Sequence, residues 1–295
     1  MKRDRRKRLL TVLLSLVGLT LILYAPIARW YNERVLVQEG ERYLRQATDT
    51  GIDIWEGERE KARLFNEKLR NGQLQYVDPF SPTAEGQFRI EEEHYPEVFM
   101  TDEPVASVEI PKLSLQLPVY NGVSDRVLGK GVGYMSNTSL PVGGAGTHTV
   151  LTGHRGLASL ELFRHLDRLV IGDLFFVTSL GQTLAYRVDR IETVLPNQAD
   201  AIRIEPELDA MTLLTCTPYV LNTHRLLVRG LRIPYEKEAE LTELIVTSQQ
   251  ERDWLIYWFR YREYAAAALL LGLAWWLLRR RRRSDESDNT SQKAA

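Results

Sequence analysis

Read by the spacing of apolar and polar positions, the chain changes texture four times. Residues 9–27, LLTVLLSLVGLTLILYAPI, are an unbroken apolar run; at about 1.5 Å per helical residue it is long enough to cross the hydrocarbon core of a bilayer. Residues 30–71 are charged and free of proline, with Ile54, Trp55, Ala62, Leu64, Phe65 and Leu69 at helical spacing. They predict two helices broken at TDTG, residues 48–51, that act as a solvated spacer. From 75 to 103 the period is lost: Pro79, Pro82, Pro96 and Pro104 interrupt it, and a loop of that length marks either disorder or a functional lid. After Pro104 come short alternating runs, VASVEI, LQLPVY, GTHTVLTG, LFFVTS, TLAYRVDRIETVL, MTLLTC and HRLLVRGLRI, punctuated by NG, GG, GD and LG. This is the pattern of a closed or nearly closed β-barrel, a mainly β fold interrupted by one helical segment, LASLELFRHLDRL.

A second apolar stretch, YAAAALLLGLAWWLL at 264–278, carries no charge and runs straight into five arginines, 279–283. It is short for a crossing, but WLIYWFRYRE before it can lengthen the helix, with aromatics at the interface and Arg260 and Arg262 snorkelling. Lys2, Arg3, Arg5, Arg6, Lys7 and Arg8 precede the first run. Basic clusters at both ends keep both termini cytoplasmic and place residues 28–253 outside. Two alternatives stand beside these spans. A cleaved signal peptide would explain the start, although the run exceeds the usual ~7–15 residues and no small-x-small site follows. A buried amphipathic helix would explain the end.

The expected organisation is a cytoplasmic basic end and membrane anchor (1–28), an extracytoplasmic helical region (29–72), a linker with a lid (73–103) and a catalytic barrel (104–235). A juxtamembrane segment (236–253), a transmembrane helix (254–278) and a cytoplasmic tail (279–295) follow. A formal charge of −1 gives no reason to expect nucleic acid or another polyanion as partner. No His, Asp and Glu spacing resembles a ligand set, so no metal and no cofactor is expected.

In an oxidising exterior structural cysteines come in pairs, yet Cys216 is the chain's single cysteine, so it is either a small buried apolar residue or a reactive group. A thiol attacks carbonyls only as thiolate and needs a neighbouring imidazole or cation. Among the five histidines, His94 falls in the irregular linker and His165 in the expected helix, on solvated surface. His148 sits inside a strand, the place of a structural histidine. His154 follows the glycine that ends GTHTVLTG and starts the loop leaving the barrel rim, where side chains are well placed for chemistry. Cys216 ends MTLLTC, and Arg225 opens the next strand, where a hairpin returns it beside the thiol and a guanidinium can donate to an oxyanion. His224 is the second candidate base, pointed by alternation to the face opposite Arg225.

Three blocks in this order, LTGHRG, TLLTC and NTHRLLVRG, resemble the sortases, the membrane-bound cysteine transpeptidases of Gram-positive bacteria, over residues 102–234. GVGYMSNTSLPVGGAGTHTVLTGHRGL and CTPYVLNTHRLLVRG are similar to class C, the pilin-polymerising sortases. The signature reads Leu214 where many relatives differ. Class C members carry a lid with an Asp-Pro-aromatic motif, and VDPF supplies Asp78, Pro79 and Phe80. The resemblance implies that Asp78 pairs with Arg225 and Phe80 covers Cys216, and that two membrane spans flank the barrel. It also implies a reaction: Cys216 attacks the Thr–Gly bond of an LPxTG-like signal, with His154 as acid and then base and Arg225 on the oxyanion. A lysine of another pilin subunit then resolves the thioacyl-enzyme. The alternatives are a housekeeping sortase that uses cell-wall precursor as acceptor, another exported cysteine enzyme such as an L,D-transpeptidase or papain-like hydrolase, and a non-catalytic peptide-binding scaffold.

Overall fold

The computed structural model describes residues 2–70, 80, 95–135, 137–155, 157, 160–198, 200–219 and 221–235, with only some of the side chains ahead of residue 30. By its internal contacts the chain divides into two units. The described part of one is residues 2–22; the other is Leu23–Ile245.

Helix α1 (Lys2–Asp49) runs without a break, and α2 (Ile52–Arg70) follows after Thr50 and Gly51, so the helical break falls within the TDTG predicted for it. Asp53 in the first turn of α2 and Lys68 and Arg70 in its last complement the helix dipole. Neither helix is a free spacer. Leu36, Tyr43, Ala47, Ala62 and Phe65 are buried. The Tyr43 hydroxyl donates to the Val105 carbonyl at 2.9 Å and accepts from the Leu180 amide at 3.1 Å. Asn66 brackets Leu140, accepting from its amide at 2.7 Å and donating to its carbonyl at 3.1 Å. Ala62 and Phe65 of the predicted stripe are buried and Trp55 and Leu69 pack on the core, whereas Ile54 and Leu64 stay exposed, so the helices dock on the barrel through part of the stripe.

The strands are β1 (Ala106–Ile110), β2 (Leu115–Asn121), β3 (Val132–Tyr134), β4 (Thr147–Thr152), β5 (Leu174–Ser179), β6 (Gln182–Val194), β7 (Asp209–Thr217) and β8 (His224–Ile233). They close into a barrel in the order β1-β2-β3-β4-β7-β8-β6-β5. The β2–β3 and β4–β7 pairs are parallel and the others antiparallel. Strand β3 is absent from the runs read in the sequence because it is three residues long and centred on Gly133. A Cβ there would stand 2.4 Å from the Gly122 carbonyl, so the close approach, not an apolar alternation, fixes the strand.

The helix expected over LASLELFRHLDRL does not form. Leu162 has φ 38°, in the left-handed region closed to a continuing helix, and the described part of the segment is turns with one 3-10 turn, Leu166–Arg168. Leu160, Leu162, Phe163, Leu166 and Leu169 are nevertheless buried in the main core, with Leu157 packed against it, so their helical spacing reflects a plug of side chains and not a helix face.

Among the described residues no helix is long and apolar enough to cross a membrane. The two flanking spans are therefore not supported by the fold: many side chains of 9–27 lie outside the described residues, as does all of 254–278.

Candidate active site

Strands β4, β7 and β8 are adjacent in the barrel wall, and alternate residues along them enter two different cores. Leu151, Met211, Leu213, Leu226 and Val228 belong to the main core, whereas Val150, Leu214 and Leu227 join Val123, Met135 and Ile202 in a second, smaller cluster. Side chains two residues apart on a strand share a face. Cys216 follows Leu214 by two, Arg225 precedes Leu227 by two, and both therefore share the face of the smaller cluster. The candidate residues lie on the outer face of the barrel wall, beside an apolar floor.

Register sets their mutual positions. Cys216 is the partner of Arg225 in the antiparallel β7–β8 ladder, so both side chains leave the same side of adjacent strands. The parallel β4–β7 ladder ends at Thr152 and Leu214. Continued by two residues, it brings His154 level with Cys216 on the other flank. The backbone keeps that spacing past the strand end: the Gly153 amide donates to the Leu214 carbonyl at 3.1 Å, and the Thr215 hydroxyl donates to the Gly153 carbonyl at 2.7 Å. Gly153 packs closely, because a Cβ there would stand 3.0 Å from the Phe163 ring.

Cys216 and Arg225 are only 6% and 5% exposed. The Phe80 ring lies with its centroid 5.5 Å from that of His154, tilted by 46°, and the Arg225 guanidinium carbon stands 5.2 Å from the same ring. Phe80 also packs on the smaller apolar cluster. Asp78 and Pro79 lie outside the described residues. Arg225 Nη1 donates to the carbonyls of Asn222 at 2.9 Å and His224 at 3.0 Å, which turns the guanidinium back over its own loop. Burial pushes His154 below the usual histidine value, and the Asp125 carboxylate pulls weakly the other way. Its neutral imidazole therefore predominates at neutral pH.

The remaining described histidines have other work. His148 holds the Arg203 carbonyl at 3.0 Å through Nδ1 and the Thr212 hydroxyl at 2.8 Å through Nε2, and burial lowers its pKa. His165 is half-buried, not a surface residue. His224 pairs with Thr217 in the ladder and bonds Thr223 at 2.9 Å, one register position away from the cysteine. His94 lies outside the described residues. Among the described residues no group of three or more His, Cys, Asp or Glu could hold a metal ion.

The sequence reading did not single out Thr215, Arg155 or Thr217. Arg155 bonds the Thr217 hydroxyl and forms an ion pair with Asp167 at 2.8 Å. Arg155 and Thr215 lie within the quoted blocks LTGHRG and TLLTC, and Thr217 stands beside Cys216.

Comparison with known proteins agrees with this architecture. The sortase-domain family profile matches residues 108–233. Sortase D of Bacillus subtilis is 31% identical over 130 residues, covering 43% of this chain and 62% of that protein. Sortase A of Streptococcus agalactiae is 27% identical over 116 residues, covering 38% and 47%. The chain thus spans about half the length of the curated relatives it matches. Among solved structures, a sortase C of Streptococcus pneumoniae is 40% identical with a TM-score of 0.59, covering 68% of this chain and 98% of that one. The pilus-related sortase C of Group B Streptococcus is 39% identical with a TM-score of 0.58, covering 65% and 96%. With the barrel, its strand order and near-complete cover of those structures, the chain belongs to the sortase family, on its class C side.

Proposed function

We propose that this protein is a membrane-anchored cysteine transpeptidase that cleaves an LPxTG-like sorting signal between Thr and Gly and joins the threonine to a lysine of another pilin subunit. The observation that carries this reading is the pairing of Cys216 with Arg225 across β7 and β8, with His154 two residues beyond the last pair of the neighbouring β4–β7 ladder. Cys216 Sγ attacks the threonine carbonyl carbon while His154 accepts the thiol proton, and Arg225 donates to the oxyanion. The C–N bond breaks, the imidazolium returns its proton to the departing glycine amine, and a thioester remains. A lysine Nζ then attacks the thioester, loses a proton to His154 and displaces the Cys216 sulfur, leaving an isopeptide bond. The lowered pKa of His154 suits this order, because a neutral imidazole must take the first proton.

Phe80, with Asp78 and Pro79 before it, serves as a lid over the thiol. Its packing against both His154 and Arg225 supports that reading, and Asp78 would pair with Arg225. Both termini are assigned to the cytoplasm and the barrel to the exterior, with the apolar runs at 9–27 and 254–278 as anchors. The exposed Leu13, Leu14, Val17, Leu23, Tyr24 and Ile27 of α1 support an apolar surrounding for that helix.

Incubation with an LPxTG-type peptide and a lysine-bearing acceptor peptide tests the proposal. Mass spectrometry should find an acyl adduct on Cys216 and an isopeptide-linked product, both lost in Cys216→Ala. Hydrolysis without transfer to lysine would leave the protease chemistry and remove the pilin acceptor.

A further inference from the structure

The β4–β7 ladder stops one residue short of Gly153, yet the two chain ends stay in step for three residues more. In sequence order they are tied by the Gly153 amide to the Leu214 carbonyl, by the Thr215 hydroxyl to the Gly153 carbonyl, and by Arg155 Nη1 to the Thr217 hydroxyl. These ties bracket the one pair that the reaction needs to hold at fixed spacing, His154 and Cys216. The last of them joins side chains at positions 155 and 217, the partners that the parallel register predicts after Thr152 and Leu214.

Arg155 is itself held. Its side chain is 10% exposed, and Nη2 stands 2.8 Å from the Asp167 carboxylate. Asp167 belongs to the 3-10 turn Leu166–Arg168, which Leu166 buries in the main core. The Phe163 amide donates to the His154 carbonyl at 3.2 Å. The loop that carries His154 is thereby fastened at one side to the cysteine strand and at the other to the core.

We propose that Arg155 is a positioning residue, whose guanidinium bridges Thr217 and Asp167 and so keeps the His154 imidazole level with the Cys216 sulfur. This rests on the roles assigned above to His154 and Cys216. A guanidinium suits the task because its planar fork can hold two acceptors in fixed directions at once, which a lysine ammonium on a flexible stem cannot. The gain is preorganisation, since a small displacement of a catalytic group from its productive position lowers the rate without weakening substrate binding.

The test compares Arg155→Ala, Arg155→Lys and Thr217→Val in the full chain by three readouts: kcat and KM on an LPxTG-type peptide, the NMR titration of the His154 ring, and the melting temperature. Arg155→Ala is expected to lower kcat about tenfold to hundredfold with KM nearly unchanged. Its His154 titration should move up toward the ordinary histidine range as the loosened ring gains solvent. Thr217→Val keeps the guanidinium and its charge, so the same two changes in smaller measure would assign them to the bridge and not to lost charge. Arg155→Lys should recover part of kcat. A lower melting temperature with unchanged kcat, KM and His154 titration would make Arg155 a structural residue only and overturn the proposal. If the wild type fails to cleave the peptide but the His154 titration still moves in the variants, the substrate reading falls while the positioning role stands.

Discussion

Cys216 and Arg225 are ladder partners on β7 and β8, so backbone pairing sets the two residues side by side, while the carbonyls of Asn222 and His224 hold the guanidinium itself. Directly opposed Cβ atoms in such a ladder lie about 4.5–5.5 Å apart. Removal of the donor in Arg225→Ala is expected to lower kcat for peptide cleavage about 10²–10³-fold, with Arg225→Lys intermediate. Steady-state rates decide it. Wild-type kcat in Arg225→Ala would take the guanidinium out of the chemistry.

The Phe80 ring stands beside both His154 and Arg225. In Phe80→Ala a small alkylating reagent is expected to label Cys216 several-fold faster than in the wild type, and Asp78→Ala should act in the same direction. Labelling followed by mass spectrometry gives the rates, and equal rates would remove the lid.

Thr215 is buried and donates its hydroxyl to the Gly153 carbonyl. Thr215→Val keeps the branched shape but leaves that acceptor without its donor, at a cost of about 1–3 kcal/mol. Denaturant unfolding of the two proteins measures it. A variant as stable as the wild type would show that the hydroxyl does not hold the strand end.

The pKa of His148 is lowered chiefly by burial. Its unfolded form therefore binds a proton at higher pH than its folded form, and stability rises with pH between those two values. The contribution is complete above about 6.5, the unperturbed histidine value, and is lost as the pH falls from there toward the folded pKa. Melting temperatures should decline between pH 7 and 5, and His148→Gln should flatten that decline. An equally steep decline in the variant would assign it to other groups. Asp209 and Glu109, whose pKa values burial raises, work in the opposite sense in the carboxylate range.

What was legible in the sequence was what repeats locally. Alternation marked seven of the eight strands, and the two residues after α1, Thr50 and Gly51, were marked as a break. Strand β3 left no pattern because a three-residue strand has no room for one. The LASLELFRHLDRL segment misled because burial, not helix formation, set its leucine spacing. The outer-face position of the site could be read only from which core each strand residue enters, a property of the closed barrel. Arg155, Thr215 and Thr217 stayed hidden for a related reason: their value lies in a parallel pairing between strands some 60 positions apart, as the Arg155–Thr217 bond spans 62.

That parallel pairing couples the candidate reaction centre to the loop beside it. His154 and Cys216 are set by the ends of neighbouring strands that run in the same direction, and the described part of the segment after His154 returns to it through Asp167, on Arg155, and Phe163, on the His154 carbonyl. Exchange of that segment would therefore loosen the imidazole unless Asp167 and Phe163 were kept, so the reaction centre and the loop beside it can change only together.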